Sequence, residues 1–258
     1  MVRIIEKVLL KYFPRFYLGL TRAQDSNDRF LFGSDFIKKN KKDSNISILD
    51  VGCGGGNFFA YINSVIKNAD YLGVDFDYEK MKENKFNDYK NFKIISQDLR
   101  SDWFFKEHDF VWSSEVIEHL FDDQNFFKKL IKSTKKGGYI IITTPYYNSY
   151  INFAKKYDWS VELSKEEIIG HVRLGYNEND LQKLAELNNL KLENIFFISE
   201  CDNFRAKNIF RINNGLFCYF FNILYNLKIL NYKKFNVDKN LINKINYLSI
   251  AAIYKKQN

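Results

Sequence analysis

The sequence predicts an α/β protein, a mostly parallel sheet with helices on both faces, and three observations predict it. Short apolar runs of strand length alternate with stretches of helical spacing, the rhythm of βαβ units. The first of these runs, Ile46–Val51, ends in a glycine-rich turn that opens into a helical stretch. Another is introduced by Gly137-Gly138 and stopped by Pro145, as expected of a buried strand between breakers.

Each element follows from the pattern. Residues 1–44 read as helical: Val2–Phe13 is amphipathic, a second helix around Asp28–Lys39 carries Phe30, Phe32 and Phe36, and the polar stretch Asn40–Asn45 closes the section. Ile46–Val51 is a buried strand, and Asn57–Lys67 a helix marked by Phe58, Phe59, Ile62 and Ile66. Tyr71–Val74 is the second strand, Tyr78–Phe86 a short helix, Phe92–Ser96 the third strand and Asp109–Ser113 the fourth. A helix is expected from about Val116, broken near Asp122–Asp123, before a fifth strand at Gly138–Thr144. Tyr146–Gly175 is polar, aromatic and irregular, which suggests a lid or substrate loop. Glu178–Asn189 is a helix, Leu192–Ser199 a sixth strand, Cys201–Ile245 an insertion with helical content, and Tyr247–Tyr254 the last strand. There is no internal repeat.

With 258 residues the chain can bury one substantial core, and 46% hydrophobic with 27% charged residues is an ordinary globular composition. Cys53, Cys201 and Cys218 fit neither a disulfide framework nor a zinc pattern, which points to a reducing, cytoplasmic setting. The first residues are interrupted by charge and make a poor signal peptide, and no apolar run approaches the roughly 20 residues of a bilayer span. The net charge of +8 comes from lysines scattered through every segment, so it argues only weakly for nucleic acid and equally well for a small anionic substrate.

The turn Asp50-Val-Gly-Cys-Gly-Gly-Gly56 is built for close approach of a ligand, because glycine adopts positive φ and has no Cβ in the way. Such turns bind dinucleotides as well as S-adenosylmethionine. Two details favour the second ligand. The sixth position of the dinucleotide fingerprint is Asn57 rather than glycine, and Asp50 puts a carboxylate at the strand end, welcome beside a sulfonium and unwelcome beside a pyrophosphate. Asp75, after the second strand, can accept both ribose hydroxyls of either ligand, and Asp98, after the third, can accept a hydrogen bond from the adenine amine. Taken alone, Asp98 would be read as a turn-forming or capping residue.

In this order the residues resemble a known family. Ile48-Leu-Asp-Val-Gly-Cys-Gly-Gly-Gly-Asn-Phe58 resembles motif I of class I methyltransferases, Val74-Asp75 their ribose-binding acid, and Gln97-Asp98-Leu99 their adenine-contacting segment. Asp109-Phe-Val-Trp-Ser-Ser-Glu-Val-Ile-Glu-His-Leu120, Lys136-Gly-Gly-Tyr-Ile-Ile-Ile-Thr-Thr-Pro145 and Gly170-His-Val-Arg-Leu174 resemble segments of the subgroup containing the ubiquinone-pathway O-methyltransferases. The resemblance spans roughly residues 46–199 and implies a Rossmann-like sheet of seven strands, the last antiparallel. The N-terminal helices and the 201–245 insertion lie outside the resemblance, and the whole chain reads as one methyltransferase domain over 1–258: an N-terminal helical segment (1–44), a cofactor-binding core (45–199) with a loop insertion (145–176), a helical insertion (200–246) and a final strand (247–258). The cofactor would be S-adenosylmethionine, held by Asp50, Gly52, Cys53, Gly54, Gly56, Asp75, Phe76, Asp98, Leu99 and Ser114.

Transfer of the methyl group to a hydroxyl needs alignment of donor and acceptor and a group to take a proton. His108 precedes the fourth strand, at the wrong end of the sheet, and reads as a surface residue. His119 lies past the carboxyl end of that strand; were a helix to start there, Glu115 and His119 would share a face beside Glu118. Three readings stay open: His119 as general base oriented by a carboxylate such as Glu115, a divalent metal held by Glu115, Glu118 and His119, or simple support of a helix start. His171 and Arg173, on the lid, are candidates for activating a hydroxyl or binding an anionic acceptor, and Tyr146 is a further substrate-side residue.

The expected partner is a small polar or anionic acceptor, with a bacterial surface-glycan sugar or a phosphorylated metabolite as the favoured choice. An Asn/Asp-Pro-Pro-Tyr-like run after the fourth strand would mark a nucleic-acid amine methyltransferase. Ser113-Ser-Glu-Val stands there instead, which argues against nucleic acid. A non-catalytic binding module would have no need of the acid–glycine–acid series, and a nicotinamide oxidoreductase is a minor alternative. The apolar run Gly215–Leu230 packs over the sheet or, flanked by basic residues, lies at the inner membrane face as a peripheral contact. Oligomeric state is not encoded in any pattern found.

Overall fold

A computed structural model describes residues 24–41, 45–76, 85–149, 163–167, 170–200 and 247–257. Seven strands form one sheet: β1 (Ser47–Val51), β2 (Asp70–Asp75), β3 (Phe92–Ser96), β4 (His108–Ser114), β5 (Thr134–Pro145), β6 (Lys191–Glu200) and β7 (Tyr247–Lys255). Their order is β3-β2-β1-β4-β5-β7-β6. β1 to β5 are parallel, and β7 inserts antiparallel between β5 and β6. This is the expected Rossmann-like sheet.

Side chains along a strand point alternately to opposite faces, so a strand buried on both faces must be apolar throughout. Ile48, Phe110, Trp112, Ile141 and Ile253 feed one core, which is covered by Leu31, Phe32 and Ile37 of α1 (Gln24–Asn40) and Phe58, Phe59 and Ile62 of α2 (Asn57–Val65). Their neighbours Leu49, Val111, Ile140, Ile142 and Ala252 feed the second. That core is covered by Phe126, Phe127 and Leu130 of α3 (Asp123–Lys132) and Leu181, Leu184 and Ala185 of α4 (Glu178–Glu186).

Four expectations are corrected here. No α-helix begins at Val116: a single 3-10 turn, Ile117–His119, follows β4, and α3 starts only at Asp123, capped by the Asp122 side chain. Gly137-Gly138 lies inside β5 rather than before it, because a Cβ on Gly138 would sit 2.8 Å from the Asp109 carbonyl oxygen at a register shift between β4 and β5. α4 stops at Glu186, and the chain turns through Asn189 at φ 51°. His108 opens β4 and is buried, 1% exposed, with burial lowering its pKa, so it is a neutral interior residue and not a surface one. The expected helix at Val2–Phe13, most of that at Tyr78–Phe86, much of the Tyr146–Gly175 loop and the 201–246 insertion lie outside the described residues.

Trp112 is fully buried and stacks on Phe58 at 4.4 Å between ring centroids. Helix α1 docks against it through Gly33, where an added Cβ would land 2.4 Å from the indole ring. In a free helix Gly→Ala stabilises by about 1 kcal/mol. Here overpacking reverses the sign, and Gly33→Ala should destabilise by about 1–3 kcal/mol, read as a lower midpoint in thermal denaturation. A raised midpoint would show that α1 does not approach Trp112 this closely.

Candidate functional site

The glycine turn joins β1 to α2 at the carboxyl edge of the sheet, where open α/β sheets hold ligands. Gly52 and Cys53 both donate their N–H to the Val74 carbonyl of β2, at 2.8 and 3.0 Å, and Gly54 N–H donates to Asp75 Oδ2 at 2.8 Å. Gly52 has φ 80°, and a Cβ there would strike Val116 at 2.1 Å, so no other residue fits between the turn and the segment after β4. At Gly54 (φ 52°) an added Cβ meets nothing within 4 Å among the described residues, which leave this face of the turn open. Gly56 caps α2 without a side-chain hydrogen bond, and the first turn carries no acid, which leaves the helix start suited to a ligand carboxylate.

Asp50 differs from expectation. Its side chain is not offered to a ligand but lies beneath the turn, 2% exposed, accepting a hydrogen bond from the Tyr71 hydroxyl. Burial, with a contribution from Asp75 and against that hydrogen bond, pushes its pKa up to about 7. Burial and the same two acids push the Cys53 thiol up, so Cys53 is an inert packing residue that fills the space left by Gly73.

The other cofactor candidates follow along the same edge. Asp75 ends β2 with its carboxylate fixed on the turn, and Phe76 beside it is 48% exposed. Leu99 is buried, while Asp98 is paired with Arg100, whose Nε and Nη2 lie 3.0 and 2.6 Å from its oxygens. This pair holds the Asp98 carboxyl below its ordinary range. The turn-forming role is thus visible too, since Arg100 N–H donates to Asp98 Oδ1 at 2.9 Å. Ser114 is within hydrogen-bond distance of Thr143, at 2.8 Å between hydroxyl oxygens.

Beyond Val116 the 3-10 turn brings Glu118 and His119 to His171, and ligand-capable atoms of these three lie within 4.8 Å of one another. The two imidazole rings meet edge to face at 4.7 Å. His119 Nδ1 is 2.9 Å from the Gly170 carbonyl; a carbonyl can only accept, so Nδ1 carries the proton and Nε2 the free lone pair. Nε2 lies 3.9 Å from Glu118 Oε1. Glu118 is fully buried: its Oε2 accepts from the Thr144 hydroxyl at 3.2 Å, and its Oε1 has no hydrogen-bond partner among the described residues. Burial and then the charge of Glu115 drive the Glu118 pKa well up, and burial with the neighbouring His119 lowers that of His171.

Three candidates are placed otherwise than expected. Glu115 stands in a left-handed conformation (φ 56°), not on a helical face with His119, and pairs at 3.3 Å with Arg29, a buried residue of α1. It is therefore replaced by His171 in the cluster that could hold a cation. Arg173 is turned inward, paired with Asp123 and donating to the Leu120 and Phe121 carbonyls at 2.6 and 3.0 Å; it joins the lid to the start of α3. Tyr146 is buried, its hydroxyl accepting from Asn148 at 2.9 Å and 3.5 Å from the Glu178 carboxylate. Arg29 and Thr144 were not singled out from sequence, because no spacing rule links them to the residues they touch.

The fold and this edge define the class I methyltransferase type, and the comparisons agree. Residues 25–195 match the family model described as a methyltransferase domain, and the chain belongs to that family. It is 31% identical over 105 residues to the ubiquinone biosynthesis O-methyltransferase of Pelagibacter ubique, covering 39% of this chain and 42% of that one. With the enzyme of the same name from Rickettsia bellii it is 29% identical over 171 residues, 62% of this chain and 68% of that one. The chain spans about half the length of most of the curated relatives it matches. Among solved structures, the plantazolicin methyltransferase BpumL in complex with SAH superposes with TM-score 0.57 at 16% identity, over 99% of this chain and 90% of that one. YcgJ of Bacillus subtilis superposes with TM-score 0.57 at 13% identity, over 89% and 99%. At these identities the likeness is one of fold.

Because the Asp50 carboxyl sits near 7 under the turn, only its ionised form favours a cationic ligand above it. Asp50 acts through the turn and not by contact: below about pH 7 its carboxyl is mostly neutral and offers a cation no charge, and above it the carboxylate does. S-adenosylmethionine should therefore bind more tightly at pH 8 than at pH 6 and release protons on binding near neutrality. Asp50→Asn should flatten that dependence. Calorimetry in buffers of different ionisation enthalpy measures it, and an unchanged slope in Asp50→Asn would assign the effect elsewhere.

Proposed function

We propose that the protein transfers a methyl group from S-adenosylmethionine to a hydroxyl of a small polar or anionic acceptor. The favoured acceptor is a bacterial surface-glycan sugar or a related phosphorylated metabolite, consistent with the net charge of +8. One observation carries the reading: the Glu118–His119–His171 cluster begins two residues past Val116, the side chain against which Gly52 is packed. A proton acceptor and the methyl-donor turn are thereby neighbours on one sheet edge. Relatives named for transfer to oxygen support this, among them the ubiquinone biosynthesis enzymes and malonyl-[acyl-carrier protein] O-methyltransferase 2 of Ilyobacter polytropus.

In this reading Asp75 and Phe76 hold the ribose side of the donor, Asp98 and Leu99 the adenine, and the open face at Gly54 with the start of α2 the methionine end. S-adenosylmethionine supplies the methyl group and leaves as S-adenosylhomocysteine. His119 Nε2 takes the acceptor's proton, with Nδ1 held by Gly170 and the ring braced by His171.

A second reading rests on the buried Glu118 Oε1, which has no hydrogen-bond partner among the described residues: Glu118, His119 and His171 suit a divalent cation, and Glu115 does not join them. Such an ion would polarise the acceptor oxygen. Substituting His119→Ala should lower kcat by about 10²–10⁴-fold with S-adenosylmethionine affinity unchanged, as for a lost general base. Full activity in His119→Ala would remove it from the chemistry. A chelator distinguishes the readings: activity lost and restored by a divalent salt selects the metal, and activity retained selects the base alone.

A further inference from the structure

Lys129 stands apart from the other lysines of its helix. Lys128 and Lys132 on α3 are exposed, as long cationic side chains ordinarily are, but Lys129 is 6% exposed. Burying an ammonium is unfavourable unless its donors are satisfied. The Lys129 Nζ donates to the Ser101 carbonyl at 2.5 Å and the Arg100 carbonyl at 3.5 Å, lies 3.8 Å from Asp102, and sits 5.8 Å from the centre of the Trp103 ring. Trp103 in turn donates its indole N–H to the Leu99 carbonyl at 3.2 Å.

These donors converge on a stretch of chain outside the sheet. After β3 ends at Ser96, residues 97–107 run without strand pairing to β4, and side chains meet some of their backbone groups in place of a ladder. Inside the loop, Ser101 Oγ–H donates to the Asp98 carbonyl at 2.8 Å and Gln97 Nε2 donates to Ser101 Oγ at 2.9 Å. Lys129 is the attachment of this local ring of bonds to a helix of the core. The same loop presents Asp98 outward and Leu99 inward.

We infer that Lys129 is a positioning residue for the adenine end of the donor, fixing the backbone from which Asp98 and Leu99 meet it; this rests on the reading of those two residues given above. Lys129 touches neither the adenine nor the reacting atoms. Its removal leaves the Arg100 and Ser101 carbonyls without their ammonium donor, and the Asp98 carboxylate loses its fixed place relative to the ribose site at Asp75.

The test is the preference for S-adenosylhomocysteine over S-inosylhomocysteine, in which a carbonyl oxygen replaces the adenine amine, measured by calorimetry on the full chain. Lys129→Met should weaken S-adenosylhomocysteine about tenfold while changing S-inosylhomocysteine little, so the preference narrows. KM for S-adenosylmethionine should rise correspondingly with kcat unchanged. Lys129→Gln, which keeps an uncharged N–H donor group on a shorter stem, should fall between. Phe127→Leu, a destabilising change on the same helix where the ring packs on Tyr254, should leave the preference intact. Retained preference in both Lys129 variants overturns the inference, as does failure of both to fold, because a positioning role leaves the fold standing. Asp98→Ala separates the two levels. If it keeps the preference, the adenine reading of Asp98 is wrong; if it loses the preference while the Lys129 variants keep it, only the role of Lys129 is wrong.

Discussion

The hydrogen bonds from Gly52 and Cys53 to the Val74 carbonyl govern the rest of the site. They hold the end of β1 against the end of β2, and the missing Cβ of Gly52 lets Val116, just past β4, close from the other side. Three carboxyl ends of adjacent parallel strands thus meet at one turn: the glycines, Asp75, and the segment leading to His119. A side chain at Gly52 would collide with Val116, so either the turn or the segment leading to His119 would have to shift.

Around that turn the protein buries acids that water would ordinarily keep outside. Asp50 is offset by the Tyr71 hydroxyl, Glu118 by Thr144, and Glu115 by Arg29, which also donates to Ser249 of β7 at 3.2 Å. Of these only Arg29–Glu115 is an ion pair, with Arg29 buried and Glu115 half-buried, so removing Glu115 is costlier than breaking a surface pair because the Arg29 charge stays inside. Helix α1 is therefore tied to the reaction edge electrostatically as well as through Trp112. The left-handed backbone of Glu115, held at a cost on the order of 1 kcal/mol or more, is the local consequence of turning the chain out of β4 toward His119.

The sheet was legible because strands buried on both faces are near-continuous apolar runs: Ile48-Leu49, with Val51 after the buried Asp50, and Ile140–Ile142 announce themselves without any partner being known. The glycine turn was legible because positive φ and close approach select one residue type. What escaped was set by contacts distant in sequence. His108 reads as surface beside Lys106 and Glu107, yet it starts a strand whose pairing with Thr134 buries it. Glu115 and His119 stand at the i,i+4 spacing of a helix, and nothing local reveals that the chain turns once in a 3-10 conformation instead. Arg173 looks free to bind an anion until Asp123, fifty residues earlier, is seen to hold it. Lys129 looks like any helix-surface lysine until the loop after β3 folds over it.

The central claim is that this edge is shaped for a sulfonium nucleoside and not for a dinucleotide. Calorimetric titration of the protein with S-adenosylmethionine and, separately, with NAD(H) and NADP(H) tests it most directly. The account predicts saturable one-to-one binding of S-adenosylmethionine and no heat from the dinucleotides. Tight binding of a dinucleotide with none of S-adenosylmethionine would contradict it.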